Sequence, residues 1–266
     1  MMRSVVGDRD GNIERARRLA REAAGRGAEV LVLPEACLTG YTVRGSMGPW
    51  AETVPGPLTE AVRGLAVEFD LAILAGLVER SEAGLHLTQV LVGPGGLHAA
   101  YRKTHLGPTE KTLFVPGNRL GVVHYMVGAD DPGVSLGLQL CYEGHFPEVS
   151  LAQALAGADA LIVPHASPRE DAQSKLDRWL RYFPARAYDN TVFVVACNQV
   201  GDNGGGLTFS GVALILGPKG EVLAQAAGED EAVIVADLRA EELEAVRGGR
   251  MGYFLPERRP ELYGKE

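Results

Sequence analysis

The stretch that decides the fold reads Leu138-Gln139-Leu140-Cys141-Tyr142-Glu143-Gly144-His145-Phe146-Pro147-Glu148. Before it, every second residue over 134–140 is apolar, which is the pattern of a β-strand with one buried face. After it, Pro147 suits the first turn of a helix and Gly157 suits its C-terminal end. The pattern therefore predicts a strand that stops at Cys141 and leads into a helix.

A cysteine at such a junction has two possible roles. Unpaired backbone N–H groups and the dipole at the start of a helix favour the thiolate, which is the nucleophilic form. Free cysteine is also one of the residue types most often buried in protein cores. Position alone therefore leaves both a nucleophilic and a structural Cys141 open, and other parts of the chain have to decide.

The composition is that of a globular protein with a substantial core. The 266 residues are 46% hydrophobic and 23% charged, which suffices for one large domain or two small ones. The formal net charge of -8 argues against a general nucleic-acid binder, because binding phosphates requires clustered Lys and Arg. Three cysteines are too few, and odd in number, for a disulfide framework, which indicates reduced thiols and a cytoplasmic setting.

The sequence contains no pattern of export or membrane insertion. Residues 1–8 lack the long apolar segment of a signal peptide. No run approaches the roughly 20 apolar residues that a membrane span needs. We therefore expect a cytoplasmic protein that binds neither nucleic acid nor membranes.

Strand-like and helix-like segments alternate along the chain, which is typical of layered α/β architectures. The spacing predicts a helix over 13–26, capped by Asn12, and another over 176–189. No linker or repeat divides the chain, so we expect a single domain over residues 1–266 with a C-terminal arm from about residue 238. The predicted strands include 28–33, 71–78, 85–92, 160–163, 191–197 and 232–236.

Two further ionisable residues stand at predicted strand ends. Glu35 follows the strand over 28–33, and Lys103 ends a strand-like segment that begins at His98. Ligands of layered α/β proteins gather where strands end, so these two groups and Cys141 could converge on one pocket. Taken singly, each has an ordinary explanation as a loop carboxylate, a solvated charge or a core thiol.

Together the three groups would form a catalytic centre. A carboxylate in a closed site has a raised pKa and can act as a general base, and a cysteine beside a lysine cation is an activated nucleophile. The lysine and the backbone N–H of Tyr142 could stabilise an oxyanion formed at a carbonyl or nitrile carbon. No His, Cys and Asp have the spacing of a zinc site, so we expect no metal and no other cofactor.

Several motifs, taken in chain order, resemble those of the nitrilase superfamily of carbon–nitrogen hydrolases. The likeness extends from about residue 7 to 255, and the motifs are stronger evidence together than singly. They are Leu33-Pro34-Glu35, Tyr101-Arg102-Lys103-Thr104-His105-Leu106, the stretch from Cys141 to Glu148, Gly157-Ala158-Asp159-Ala160, the stretch from Pro184 to Asn190, and Phe209-Ser210-Gly211.

The resemblance implies an α/β fold, a four-layer αββα sandwich, with a Glu-Lys-Cys triad formed by Glu35, Lys103 and Cys141. It implies assembly across a helical face into homodimers or larger homo-oligomers. It also implies a second glutamate that helps position the substrate. Glu110 is the best match for that glutamate, and the alternative is a solvent-facing loop residue.

Three more residues are candidates for positioning the substrate. Tyr41 could form a wall of the pocket or pack in the core. His165 ends the strand after the nucleophile helix, and we expect it at the rim of the pocket, where it binds substrate or caps the loop. Tyr142 directly follows the nucleophile. The remaining cysteines, Cys37 and Cys197, are expected to be structural.

The function that the resemblance implies is a cysteine-dependent amidase. Such an enzyme converts a small amide to a carboxylic acid and ammonia or an amine through a thioester. Tyr142 is more similar to amidase branches than to nitrile-cleaving branches, where tryptophan is common after the cysteine. A nitrilase, an N-carbamoyl amide hydrolase, an acyl transferase that uses an amine, and a catalytically silent binding protein on the same fold stay open.

One feature departs from the family pattern. Members usually begin with a buried strand before the segment that resembles residues 5–12, whereas residues 1–4 alone precede it here. Loss of a central strand would leave backbone N–H and C=O groups of the neighbouring strands unpaired and would expose apolar core surface. Either the first strand is missing or shortened, with a cost in stability or activity, or the sequence starts late.

Overall fold

A computed structural model describes residues 1–126, 133–168, 170–249 and 251–263. The helices in these ranges are α1 (Arg9–Gly25), α2 (Pro57–Phe69), α3 (Pro147–Leu155), α4 (Ala172–Trp179), α5 (Phe183–Asn190) and α6 (Ala240–Arg247). The strands are β1 (Val30–Val32), β2 (Ala72–Ser81), β3 (Gly84–Gly93), β4 (Gly96–Arg102), β5 (Val122–Tyr125), β6 (Val134–Leu138), β7 (Ala160–His165), β8 (Phe193–Asn198), β9 (Gly201–Asp202), β10 (Thr208–Phe209), β11 (Gly211–Leu216) and β12 (Val222–Gly228).

The long strands form two sheets. The first has four strands in the order β1-β2-β3-β4, with β1 and β2 parallel and the other pairs antiparallel. The second has six in the order β12-β11-β8-β7-β6-β5, with a parallel centre of β6, β7 and β8 and antiparallel edges. β9 and β10 form a separate antiparallel ribbon.

Three apolar layers hold the sheets and helices together. The middle layer lies between the sheets, where Leu74 and Leu91 of the first face Leu138 and Ile162 of the second. A second layer lies between the first sheet and α1 and α2, and a third lies between the second sheet and α3, α4 and α5. Side chains along a strand alternate between its faces, so each sheet supplies two of these layers. The molecule is a four-layer αββα sandwich, as predicted.

Two helices differ from the sequence predictions. α1 begins at Arg9 rather than after Asn12, because the carboxylate of Asp8 caps it by accepting the N–H of Gly11 at 3.1 Å. Asn12 is instead buried within the helix and exchanges hydrogen bonds with the backbone of Val5. The helix predicted over 176–189 is two helices, α4 and α5.

The prediction of a strand over 232–236 is wrong. Ala232 exchanges backbone hydrogen bonds with Met1, but a mostly apolar cavity of about 440 Å³ lies between the following residues and β1. A strand needs a continuous ladder of backbone hydrogen bonds to a second strand, and in the described ranges residues 233–236 form none. In the described ranges no strand precedes β1, and Met2 forms a single parallel bridge with Gln199.

Candidate active site

Glu35 lies in the turn that follows β1. Its side chain is buried, and its backbone carbonyl accepts a 2.7 Å hydrogen bond from the side-chain amide of Gln199. The next residue, Ala36, has a φ of 50°, which is the left-handed region. β2 passes so close to this turn that a Cβ at Gly76 would lie 2.2 Å from the backbone nitrogen of Ala36. Gly76 therefore permits the turn that directs the carboxylate into the protein.

Lys103 directly follows β4, and its ammonium lies between two carboxylates. Nζ donates to Oε1 of Glu35 and to Oε1 of Glu110, each at 2.8 Å. Glu110 is buried too, and its second oxygen accepts the backbone N–H of Gly107 at 2.7 Å. The hydroxyl of Tyr41 donates to Glu110 Oε1 at 2.9 Å. Glu110 is therefore no solvent-facing loop residue, and Tyr41 orients it.

Cys141 begins a 3₁₀ turn, Cys141–His145, just after β6. Its φ of 43° is left-handed, so the chain bends sharply at the end of the strand. The residue is partly accessible, whereas Glu35 and Lys103 are buried. The helix after the cysteine, α3, begins at Pro147, as predicted, and the 3₁₀ turn separates its first residue from Cys141.

The surroundings hold the Cys141 thiol in its neutral form. Burial raises the pKa of this thiol to about 12, and the carboxylates of Glu35 and Glu110 add to the increase. The Lys103 cation lowers the pKa but does not outweigh these effects. The expectation of a thiolate favoured by lysine and helix dipole is therefore wrong, and the thiol needs a base.

Glu35 has the properties of that base. Burial raises the pKa of its carboxyl group to about 7, Lys103 opposes the increase, and the negative charge of Glu110 adds to it. For Lys103 itself, burial lowers the pKa, but the carboxylates of Glu35 and Glu110 outweigh burial and raise it. A carboxyl group that titrates near neutral pH thus contacts a lysine that stays cationic.

One backbone amide connects the carboxylate with the sulfur. The N–H of Ala166, just after β7, donates to Glu35 Oε2 at 3.0 Å. It also lies near enough to the Cys141 sulfur to lower the pKa of the thiol. The structure therefore brings Glu35, Lys103, Glu110 and Cys141, which come from four separate segments, to one place.

His165 is buried where β7 ends, and its contact with substrate stays a prediction. It is 2% exposed, and its ring packs against Trp179 with centroids 4.3 Å apart. Nδ1 bonds to the carbonyl of Val163 at 2.7 Å. Burial holds the pKa of the imidazole well below its ordinary value, so the ring is neutral.

The side chain of Tyr142 extends away from the buried carboxylates. It is 38% exposed and makes edge contacts with the rings of His145 and Phe146. A role of Tyr142 in positioning the substrate, through its side chain or its backbone N–H, stays a prediction.

The other two cysteines are buried within the apolar layers. Burial raises the pKa of Cys37 to about 12 and that of Cys197 to about 11. Both thiols are therefore protonated and unreactive at neutral pH, in agreement with a structural role. Within the described ranges, no cluster of three or more His, Cys, Asp or Glu side chains could hold a metal ion.

Three buried polar side chains that were not predicted as site residues also border the site. Glu143, two residues after Cys141, is fully buried and accepts several hydrogen bonds. Asn198 and Lys175 both donate to the carbonyl of Ser167, the residue after Ala166. Glu143 lies inside the motif that begins at Cys141, whereas Lys175 lies on α4, just before the helix predicted over 176–189.

An αββα fold that holds a cysteine, a lysine and two glutamates together is the architecture of a cysteine hydrolase that acts on carbon–nitrogen bonds. The chain matches the family model of carbon–nitrogen hydrolases over residues 2–248. It belongs to the carbon–nitrogen hydrolase family, as its motifs predicted, and it is an enzyme of that family.

Individual relatives are similar over nearly the whole chain. An (R)-stereoselective amidase from Pseudomonas sp is 33% identical over 260 residues, covering 98% of this chain and 90% of that protein. A nitrilase from Pyrococcus abyssi is 34% identical over 260 residues, covering 96% and 93%. A solved amidase variant from Nesterenkonia sp. AN1, to whose active-site cysteine acrylamide has added, is 27% identical with a TM-score of 0.76, covering 93% and 94%.

Proposed function

We propose that this enzyme hydrolyses a small amide to a carboxylic acid and ammonia or an amine, with Glu35, Lys103 and Cys141 as the catalytic residues. The observation that carries the proposal is the Lys103 ammonium, 2.8 Å from both Glu35 and Glu110, close enough to Cys141 for its charge to act on the thiol. The similarity to an (R)-stereoselective amidase supports an amide substrate.

In the first step, the sulfur of Cys141 attacks the carbonyl carbon while Glu35 accepts the thiol proton. Because the thiol has a pKa of about 12 and Glu35 of about 7, proton transfer accompanies attack and no stable thiolate precedes it. The negative charge moves to the carbonyl oxygen. Lys103 and the backbone N–H of Tyr142 stabilise this oxyanion.

In the second step, Glu35 gives its proton to the leaving nitrogen. The carbon–nitrogen bond breaks, ammonia or an amine departs, and a thioester with Cys141 remains. Glu35 then removes a proton from water as the water oxygen attacks the thioester carbon. When the carbon–sulfur bond breaks, Glu35 returns this proton to the sulfur, which releases the acid and restores the thiol and the carboxylate. Glu110 holds the ammonium of Lys103 in place throughout, and Tyr41 holds Glu110.

A nitrile is the second candidate substrate. Addition of the Cys141 thiol to a nitrile carbon needs the same base and the same cation, and the similarity to a nitrilase from Pyrococcus abyssi favours it. An amide and a nitrile that derive from the same carboxylic acid lead to the same thioester with Cys141. The acyl group bound to Cys141 therefore identifies the acid part of the substrate in both cases.

We also propose assembly into homodimers or larger homo-oligomers and a cytoplasmic location. Leu155 of α3, Tyr188 of α5 and the nearby Phe254 expose 52%, 50% and 41% of their surface, which supports an interface on this helical face. The three cysteines are free, which supports a reducing compartment. No helix of the described ranges is long and apolar enough to cross a membrane.

Mass spectrometry after exposure to a panel of amides and nitriles tests the reaction. We expect an acyl adduct on Cys141 with the best substrates, no adduct and no turnover in Cys141→Ala, and unchanged turnover in the matched control Cys37→Ala. If Cys141→Ala kept its turnover and Cys37→Ala lost it, Cys141 would be ruled out as the nucleophile.

A further inference from the structure

Glu143 is a fully buried carboxylate that accepts hydrogen bonds from two separate segments, residues 101–105 and Leu140. Oε1 accepts the hydroxyl of Tyr101 at 2.8 Å, the backbone N–H of Thr104 at 2.8 Å and that of His105 at 3.3 Å. The hydroxyl of Thr104 donates to the same oxygen. Oε2 accepts the backbone N–H of Leu140 at 2.7 Å. Both oxygens are therefore fully engaged by donors.

The positions of these donors place Glu143 between the two halves of the proposed site. Thr104 directly follows Lys103, and Leu140 directly precedes Cys141. One carboxylate thus binds the backbone on the lysine side through Oε1 and the backbone on the nucleophile side through Oε2. Hydrogen bonds to an ionised acceptor are about twice as strong as those between neutral groups, so this connection is rigid.

We propose that Glu143 is a positioning residue, which holds the Lys103 ammonium and the Cys141 sulfur at the separation that the reaction needs. The inference rests on the proposed function, because it assumes that these two groups act on one substrate. Glu143 touches no reacting atom and acts through the two backbone segments. Displacing catalytic groups by about 1 Å can lower a rate by about 10²-fold, so such a connection has a measurable effect.

The donors explain why the residue must be a carboxylate. An ionised carboxylate offers two acceptor oxygens and no donor, whereas glutamine replaces one of them with an NH₂ group. In Glu143→Gln that NH₂ would face either the N–H of Leu140 or the donors of Thr104 and His105. The volume is nearly unchanged, so the variant separates the two segments without leaving a cavity.

Steady-state kinetics of Glu143→Gln provides the first test. Sites are counted by stoichiometric alkylation of Cys141 with iodoacetamide, so that kcat refers to folded protein. We expect kcat per site to fall by about 10²-fold with little change in KM. The matched control is Glu79→Gln, since Glu79 is a buried carboxylate that binds Thr88 and Arg102 outside the site, and its kcat per site should be preserved.

A double-mutant cycle with Lys103→Met shows whether Glu143 acts through the lysine. The readout is the rate at which iodoacetamide alkylates Cys141, which needs no turnover. Each single variant should alkylate more slowly, because a displaced or missing cation leaves less thiolate, by about tenfold for each unit of thiol pKa. The double variant should be no slower than Lys103→Met alone, since coupled residues are not additive.

Two results would overturn the inference. One is an unchanged kcat per labelled site in Glu143→Gln, whatever the fall in melting temperature. The other is a decrease in the rate of Cys141 alkylation on Glu143→Gln that is equally large in wild type and in Lys103→Met. Such a result would indicate a general structural role. If Glu143→Gln does not fold, Tyr101→Phe removes one donor and the same two criteria apply to it. Failure of the proposed function would give a different result, because wild type and Cys141→Ala would then show the same turnover.

Discussion

Two lysines of the described chain are buried, and their surroundings have opposite effects on their charge. Lys103 is 1% exposed and Lys175 is 0% exposed. The ammonium of Lys103 contacts the carboxylates of Glu35 and Glu110, which outweigh burial and raise its pKa. The amine of Lys175 donates to the carbonyl and the hydroxyl of Ser167, and burial lowers its pKa to about 8.

The difference shows that partners, and not depth, decide the charge of a buried amine. Removal from water disfavours the cation at both positions, and only carboxylates in contact reverse the effect. Lys103 is therefore a permanent cation beside Cys141, suited to stabilise an oxyanion. Burial lowers the pKa of Lys175 to about 8, and its hydrogen bonds to the two oxygens of Ser167 help to hold that loop.

The largest expected effect separates the two lysines by their contribution to turnover. Lys103→Met should lower kcat by about 10²–10³-fold, the usual result of removing an oxyanion donor. Lys175→Met removes hydrogen bonds worth about 1 kcal/mol each and should lower kcat by about tenfold or less. Steady-state kinetics on the same amide measures both. Equal losses in the two variants would mean that the carboxylate partners of Lys103 make no functional difference.

A smaller effect concerns the carboxylates that distinguish the Lys103 site. Wild-type activity should fall as the pH drops through about 7, because Glu35 then becomes protonated and loses its function as a base. The charge of Glu110 raises the pKa of Glu35, so Glu110→Gln should move this acid limb to lower pH, by roughly half a unit to one unit.

The pH dependence of kcat/KM measures that shift. The matched control is Tyr41→Phe, which removes the hydroxyl that binds Glu110 but keeps its charge. The acid limb of this variant should stay where it is in wild type. Movement of the limb to higher pH in Glu110→Gln would contradict the assigned charge interaction.

The smallest expected effect is on the pH dependence of stability. The contributions of Lys175 and Lys103 to the free energy of unfolding change in opposite directions as the pH rises. Because the pKa of Lys175 is lowered from 10.5 to about 8, the folded state binds fewer protons than the unfolded state between these values. The free energy of unfolding should therefore rise with pH over this window in wild type, relative to Lys175→Met. The raised pKa of Lys103 predicts a contribution that is complete below 10.5 and is lost at higher pH.

Urea unfolding at pH 7.5 and 10, chosen on either side of about 8, measures this difference for wild type and Lys175→Met. A stability gap that stays constant over the range would show that the amine of Lys175 keeps its ordinary pKa in the folded chain.

The meeting of Glu35, Lys103 and Cys141 could be predicted because each stands where a strand ends. Alternation of apolar residues locates such ends, and strands in stacked sheets bring their ends together. The protonation of Cys141 could not be predicted, because it is a balance between burial, two carboxylates and one cation, and each depends on distances that only the folded chain defines.

Other differences have the same origin in tertiary contacts. Asn12 has the side chain of a helix cap, but Asp8 caps α1 and Asn12 binds the backbone of a neighbouring segment. His165 has a polar side chain at a strand end, but Trp179 covers it. Residues 232–236 have the pattern of a strand, but in the described chain Ala232 alone pairs with another backbone, that of Met1, and no strand forms. The local sequence pattern indicates which secondary structure and contacts a segment can form, and the packing of neighbouring segments determines which of them it forms.

The backbone at Cys141 also limits which nucleophiles this fold can carry. Its φ of 43° lies in the left-handed region, which side chains branched at Cβ strongly avoid. Serine has an unbranched Cβ and can adopt this conformation, whereas threonine brings a methyl group against the backbone. The strain of this conformation therefore favours serine over threonine in any redesign of this enzyme toward oxygen chemistry, although Thr191, with a φ of 50°, adopts the same region elsewhere in the chain.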